Sequence, residues 1–189
     1  MELDNVIFPT DEQVERLMDE DGSYRFEVEN IDSRIVASQR TKNNEQLFIF
    51  RTKIASQHNE RITRYKVGYY VLNESGQVVG RIPVTLNQTN DSVSMDYWIK
   101  PEFQGLGIGR VTLSEIVKDV FESAVFDGLP FKSDQVTMVD KIKLEINDDN
   151  YASKKIAEHN GFVLSDDGYH ELTKGSYMAA KNHDDVSTK

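Results

Sequence analysis

The stretch Trp98 to Phe121, WIKPEFQGLGIGRVTLSEIVKDVF, limits the folds open to this chain more than any other. It joins two periodicities through three glycines at alternate positions, Gly105, Gly107 and Gly109. Before them SVSMDYWIK alternates: Val93, Met95, Tyr97 and Ile99 point one way, Ser94, Asp96, Trp98 and Lys100 the other, as in a strand. After them Ile108, Val111, Ile116, Val117, Val120 and Phe121 keep helical spacing. A strand therefore runs through a glycine loop into a helix. The N-terminus of a helix exposes unpaired amides and the positive end of its dipole, and glycines let a ligand come close to that backbone. The stretch is then either an anion site suited to phosphate or simply a flexible turn.

Spacing removes two phosphate motifs. The P-loop requires Lys and then Ser or Thr after its last glycine, and Arg110 and Val111 stand there. The fingerprint GxGxxG starts at neither Gly105 nor Gly107. The strand before the loop also lies in an antiparallel context, not at the head of a βαβ unit.

RYKVGYYVLNESGQVVGRIPVTL reads as a hairpin: Tyr65, Val67, Tyr69 and Val71 alternate, NESG turns, and Val78 to Leu86 returns. NQTND is a second turn. KIKLEI is a strand with Ile142, Leu144 and Ile146 on one face. Asn150 caps a helix over Ala152 to Asn160, Gly161 suits its C′ position, and FVLSDDGYHELTK forms a last hairpin around Asp166–Gly168. The remaining residues, 176–189, read as a polar tail ending in the frayed NHDDVSTK. At the other end Thr10 or Asp11 caps a short helix bearing Val14, Leu17 and Met18, and Tyr24 to Val28 alternates as a strand. In EQLFIFRTKIASQHNE the run LFIF alone suits a strand, but the spacing of Leu47, Phe50 and Ile54 favours a helix, with Arg51, Lys53 and Gln57 on its polar face. DGLPFKSDQVTM is a loop. The order predicts one α+β domain, residues 1–175, built on a mixed, mainly antiparallel sheet.

A chain of 189 residues with a formal net charge of −10 disfavours phosphate backbones and anionic membranes, and suits cationic partners such as amines and basic peptides. With no cysteine, disulfides, thiolate metal sites and a cysteine nucleophile are excluded. The four histidines show no metal-ligand spacing. MELDNVIFPTDEQ lacks the basic start and apolar core of a signal peptide, and no apolar run approaches the ~20 residues of a membrane helix. A cytoplasmic protein is expected.

QGLGIG, Gln104 to Gly109, resembles the (Arg/Gln)-x-x-Gly-x-(Gly/Ala) signature of the GNAT superfamily of acyl-CoA-dependent N-acetyltransferases. DYWIKPEFQGLGIG is similar to that family's fourth strand and pyrophosphate loop. LEINDDNYASKKIAEHNGF is similar to its second signature, through Asn150, Ser153, Gly161 and Phe162. The style is most similar to the RimJ/RimL-like branch. The resemblance spans about Val67 to Leu172 and implies a GNAT-like mixed sheet flanked by helices. It implies acetyl-CoA as donor and no metal. The acceptor would be a primary amine, on a small molecule such as an aminoglycoside-like compound or at a protein N-terminus, attacking the thioester directly. A homodimer, common among such proteins, is also compatible.

In that reading the amides of Gln104, Gly105, Leu106, Gly107, Ile108, Gly109 and Arg110 bind the CoA pyrophosphate. The backbone of Trp98, Ile99 and Lys100 pairs with the pantetheine, an amide such as that of Ile99 stabilising the developing oxyanion. Asn150, Ser153 and Lys154 flank the other side of the cofactor. Asp96 acts as base, directly or through water, or holds the cationic substrate. Ser153 protonates the departing thiolate, with Tyr151 as a second candidate and water as a third, since CoA thiolate is a modest base. The chain departs from the family pattern twice, carrying Ser94 where relatives often have Glu and Ala157 where many have Tyr. These departures keep open an alternative, a non-catalytic acyl-CoA-binding or partner-binding module of the same fold. The indole of Trp98 either lines the acyl-CoA cleft or packs in the core, packing being preferred because single tryptophans are usually buried.

Overall fold

The structure, a computed structural model, describes residues 27–28, 34–40, 44, 46–52, 55–58, 63–87, 91–123, 125–126 and 138–187. Its strands are β1 (Glu27–Val28), β2 (Arg34–Arg40), β3 (Gln46–Arg51), β4 (Ala55–His58), β5 (Thr63–Asn73), β6 (Val78–Leu86), β7 (Ser92–Met95), β8 (Trp98–Ile99), β9 (Lys141–Leu144), β10 (Val163–Leu164) and β11 (His170–Thr173). Its helices are α1 (Ile108–Glu122), α2 (Tyr151–His159) and α3 (Lys174–Ser187), with a 3₁₀ turn at Pro101–Phe103. All strands join one sheet in the order β1-β4-β5-β6-β7-β9-β11-β10, with β3 also on β5, β2 on β3, and β8 on β6. The pairing of β7 with β9 is parallel and every other pairing antiparallel, so the α+β architecture is as expected.

The hairpin of β5 and β6 closes at NESG, where Asn73 Oδ1 accepts the Gln77 amide at 2.9 Å and Gly76 adopts φ 76°. The expected N-terminal helix, Tyr24 to Phe26, most of NQTND and all but Met138 of DGLPFKSDQVTM lie outside the described residues.

The helix expected around Leu47, Phe50 and Ile54 is corrected to strands β3 and β4, with Lys53 and Ile54 outside the described residues. Leu47 to Phe50 are all buried, and they divide between two clusters. Leu47 and Ile49 join the main core, while Phe48 and Phe50 meet Tyr70 and Leu72 in the second. Both faces of the sheet are covered here, so the polar half of a strand pattern is missing and the run mimics part of a helix.

Helix α1 lies against the main core through Ile108, Leu113, Ile116, Val117, Val120 and Phe121, all buried. Burying each such side chain contributes about 1.5–3 kcal/mol relative to leaving it in water. The same face carries a buried polar clamp. Asp119 Oδ2 lies 2.7 Å from Arg51 Nη1 on β3 and accepts the Tyr69 hydroxyl of β5 at 2.9 Å. Burial, and then the Asp119 charge, push the Tyr69 phenol well above its ordinary value. The clamp fixes the helix that begins at the glycine loop.

The expected frayed tail is also corrected: the chain is helical as α3 through Ser187. Tyr177 packs on Phe121 with ring centroids 5.5 Å apart and donates its hydroxyl to Glu122, and Lys181 Nζ lies 2.6 Å from the same carboxylate. Positions 177 and 181 share one helix face, so a single acidic residue of α1 holds both.

Candidate functional site

The site begins at a break in one strand. β7 and β8 keep a single register against β6, Met95 opposite Val84 and Trp98 opposite Arg81. Between them Pro83 accepts the Asp96 amide at 3.2 Å but has no N–H to return to the Asp96 carbonyl. β7 also runs parallel to β9 as far as Met95 opposite Leu144. Beyond that point β8 stays with β6 alone among the described strands, and the sheet opens. The Lys100 amide donates to the Val79 carbonyl at 2.9 Å. Antiparallel alternation therefore turns the backbone groups of Tyr97 and Ile99 away from β6 and towards the opening.

The loop folds back on this edge. Gln104 Nε2 donates to the Ile99 carbonyl at 2.9 Å. Gly105 and Gly107 have φ of 76° and 83°, a left-handed backbone that costs a residue with a Cβ about 1–2 kcal/mol. Gly107 is the N-cap of α1, and no side chain caps the helix. The first amides of α1 therefore lack the side-chain acceptor that most helices supply. Gly109 serves differently: a Cβ there would lie 3.2 Å from Ile156 Cδ1, so its absence lets α1 and α2 approach. The C-terminal end of α2 is pinned too, Asn160 Nδ2 donating to the Ile156 carbonyl at 2.9 Å and the Arg110 carbonyl at 3.3 Å. At its start Asn150 Oδ1 accepts the Ser153 amide at 3.1 Å, and Gly161 ends it at φ 82°, as the sequence predicted.

Between β8, the loop and the first turns of α1 and α2 lies a cleft of about 660 Å³. Trp98, Ile99, Gln104, Gly105, Gly107, Ile108, Gly109, Arg110, Asn150 and Ser153 line it, ten residues singled out from the sequence. Three others lie elsewhere. Leu106 lines a smaller cavity of about 110 Å³ with Gln39, Arg40 and Leu47. The Lys100 amide is committed to Val79. Lys154 Nζ turns to Asp148, 2.9 Å from its carbonyl and 3.2 Å from Oδ1, while its neighbour Lys155 lines the cleft. Trp98 does not pack in the core; it is 52% exposed. Tyr151 is exposed and does not line the cleft.

Asp96 stands apart from the cleft lining. It alternates with Tyr97 and so leaves the opposite face of the sheet. Parallel register places it beside Glu145, each the next residue after a paired Met95 or Leu144. Partial burial first, and Glu145 second, raise its carboxyl above the ordinary value, with Lys66 acting the other way. Sequence reasoning passed over Tyr97. Its hydroxyl donates to the Ser153 carbonyl at 3.0 Å across the opening, and it lines the cleft. The alternation that sets Val93, Met95 and Ile99 inward was the signal for it.

A mixed sheet that splits beside a glycine loop leaves the uncapped N-terminus of α1 at an open cleft, an arrangement suited to an anionic ligand. A family model described as Acetyltransferase (GNAT) domain matches residues 10–163, and the chain belongs to that family. Solved structures of similar backbone include a chimera of spermidine N-acetyltransferase SpeG from Vibrio cholerae and hSSAT, 17% identical, covering 60% of this chain and 69% of that one with a TM-score of 0.47. Campylobacter jejuni N-acetyltransferase PseH in complex with acetyl coenzyme A is 23% identical, covering 57% of this chain and 67% of that one with a TM-score of 0.42. No curated protein matches the sequence.

Proposed function

We propose that the protein is a RimJ/RimL-like N-acetyltransferase, carrying an acetyl group from acetyl-CoA to a primary amine by direct attack, with residues 1–175 as its single catalytic domain. The observation that carries this reading is the uncapped start of α1, with two left-handed glycines, at the base of a cleft beside the free edge of β8. The amides from Gln104 to Arg110 take the pyrophosphate, where Arg110 adds charge. The pantetheine then extends along β8, and the Ile99 amide faces the thioester carbonyl as it turns anionic. Ser153, half-buried in the lining, protonates the thiolate. The amine enters through the gap between β8 and β9 from the Asp96 face. A small-molecule amine or a protein N-terminus acts as acceptor in the cytoplasm, with the enzyme as a monomer or homodimer.

Acetyl-CoA binds the native state, so it should raise the melting temperature. At 100 times its Kd the gain is about 2.7 kcal/mol. For a chain of this size that corresponds to roughly 5–11 °C. No shift at millimolar acetyl-CoA sinks the proposal.

A free alkylamine has a pKa near ~10.4, so it must shed a proton before it attacks. As the base, Asp96 must be ionised. Its raised pKa means kcat/KM is full above that pKa and falls as pH drops through it, beginning at a higher pH than for an ordinary carboxylate. Asp96→Asn should lower kcat/KM by about 10²–10⁴ and remove that acid limb. A rise in KM with kcat unchanged assigns Asp96 to holding the cation instead.

A further inference from the structure

We propose that the Tyr97 hydroxyl donates a hydrogen bond to the CoA sulfur as the thioester breaks, making Tyr97 a catalytic residue of the transfer. This rests on the acetyl-CoA reading of the cleft. Three observations converge on it. Tyr97 lines the cleft, and its hydroxyl already reaches the wall formed by α2, donating to the Ser153 carbonyl at 3.0 Å. Ser153 lies in the first turns of α2, and its carbonyl is the ordinary acceptor for the helix amide four residues on, so the phenol is a second donor there and can leave without orphaning an acceptor. Tyr97 also sits at the right end of the cleft. The phosphate-binding amides lie at residues 104 to 110, and a pantetheine arm that follows β8 from them brings its thioester to the Ile99 amide, with Tyr97 the next residue on that face of the strand. There the chain, leaving β7 and its partner β9, continues as β8 beside β6 alone among the described strands, and an amine can enter.

The step balances without a proton from tyrosine. The amine lone pair forms the C–N bond, the C–S bond breaks, and its electron pair stays on sulfur. The ammonium proton leaves to Asp96 or water. The hydroxyl of Tyr97 swings from the Ser153 carbonyl to the new thiolate and remains O–H throughout. Burial raises the Tyr97 phenol above its ordinary value, which keeps it a donor across the neutral range. The charged residues lining the cleft, Arg110 on α1 and Lys155 on α2, also favour a thiolate and are unchanged in a Tyr97 variant.

The test needs no knowledge of the acceptor. CoA itself is bound to the wild type and to Tyr97→Phe, and the thiol is titrated by its ultraviolet absorbance, taken as a difference against the acetyl-CoA complex so that other chromophores cancel. A hydrogen bond to a charged group is worth a factor of about 10–100. The thiol midpoint should therefore lie about 1–2 pH units higher in Tyr97→Phe than in the wild type, with CoA-induced thermal shifts equal in both. Once an acceptor is known, kcat should fall by the same factor with KM unchanged. Equal midpoints in two proteins that both bind CoA overturn the role of Tyr97 and leave the acetyl-CoA reading standing. Failure of the wild type to bind CoA overturns both.

Discussion

Gly107→Glu is expected to abolish acetyl-CoA binding. Two effects act at one atom. Gly107 has φ 83°, so any side chain costs about 1–2 kcal/mol of backbone strain. Beyond its own chain neighbours, no atom of the described residues lies within 4 Å of a Cβ there, so the new carboxylate occupies open space and not the protein interior. It also brings a negative charge to the amides that would face a pyrophosphate. The thermal shift that acetyl-CoA gives the wild type should vanish at millimolar ligand, equivalent to a loss of more than about 100-fold in affinity. Gly107→Ala separates the effects, since it carries the strain without the charge and should bind more weakly but measurably. Undiminished binding by Gly107→Glu places the cofactor elsewhere.

Asp119→Ala should strongly destabilise the fold. It leaves the Arg51 guanidinium, 5% exposed, without its carboxylate, and Arg51 Nε already lacks a hydrogen-bond partner. Removing one member of a buried ion pair costs about 3–5 kcal/mol. The melting temperature should fall by roughly 6–20 °C in a chain of this length. Tyr69→Phe, which removes only one donor to the same oxygen, should cost about 0.5–3 kcal/mol. Replacing Arg51 and Asp119 together by Met and Leu should recover most of the loss, because no charge then stays buried alone. A loss below about 1 kcal/mol in Asp119→Ala would show that the clamp does not hold α1 to the sheet.

The parts of the fold legible in the sequence were those with a local cause. Gly105 and Gly107 mark left-handed backbone, Asn150 a cap and Gly161 a helix end, and each is a property of one residue and its own dihedral angles. The alternation through β5 to β8 was legible because most of its inward residues face a single core. β3 was not, because neighbours on both faces bury Leu47 and Phe48 alike. Helix α3 was hidden for a related reason: its polar sequence is held by Glu122 and Phe121 of α1, a contact far away in the chain. In the site, Lys154 and Lys155 are adjacent and differ by about 100° around the helix, and only the docking of α2 decides which one faces the cleft. The exposure of Trp98 went against the preferred of its two readings, and it did so at the wall of a cleft, where exposed apolar surface is common. Tyr97 showed the converse: its inward direction was read correctly, but only the position of α2 reveals what its hydroxyl reaches.

The central claim is that this cleft transfers acetyl groups and does not merely hold acyl-CoA. The most direct measurement mixes the purified protein with acetyl-CoA and a panel of small amines and N-terminal peptides, and quantifies free CoA thiol and acetylated amine together. Amine-dependent release of thiol is expected, matched one for one by N-acetylated product and lost in Gly107→Glu. Saturable binding of acetyl-CoA with no acetylated product from any amine class would contradict it, and would identify the protein as an acyl-CoA-binding module of the same fold.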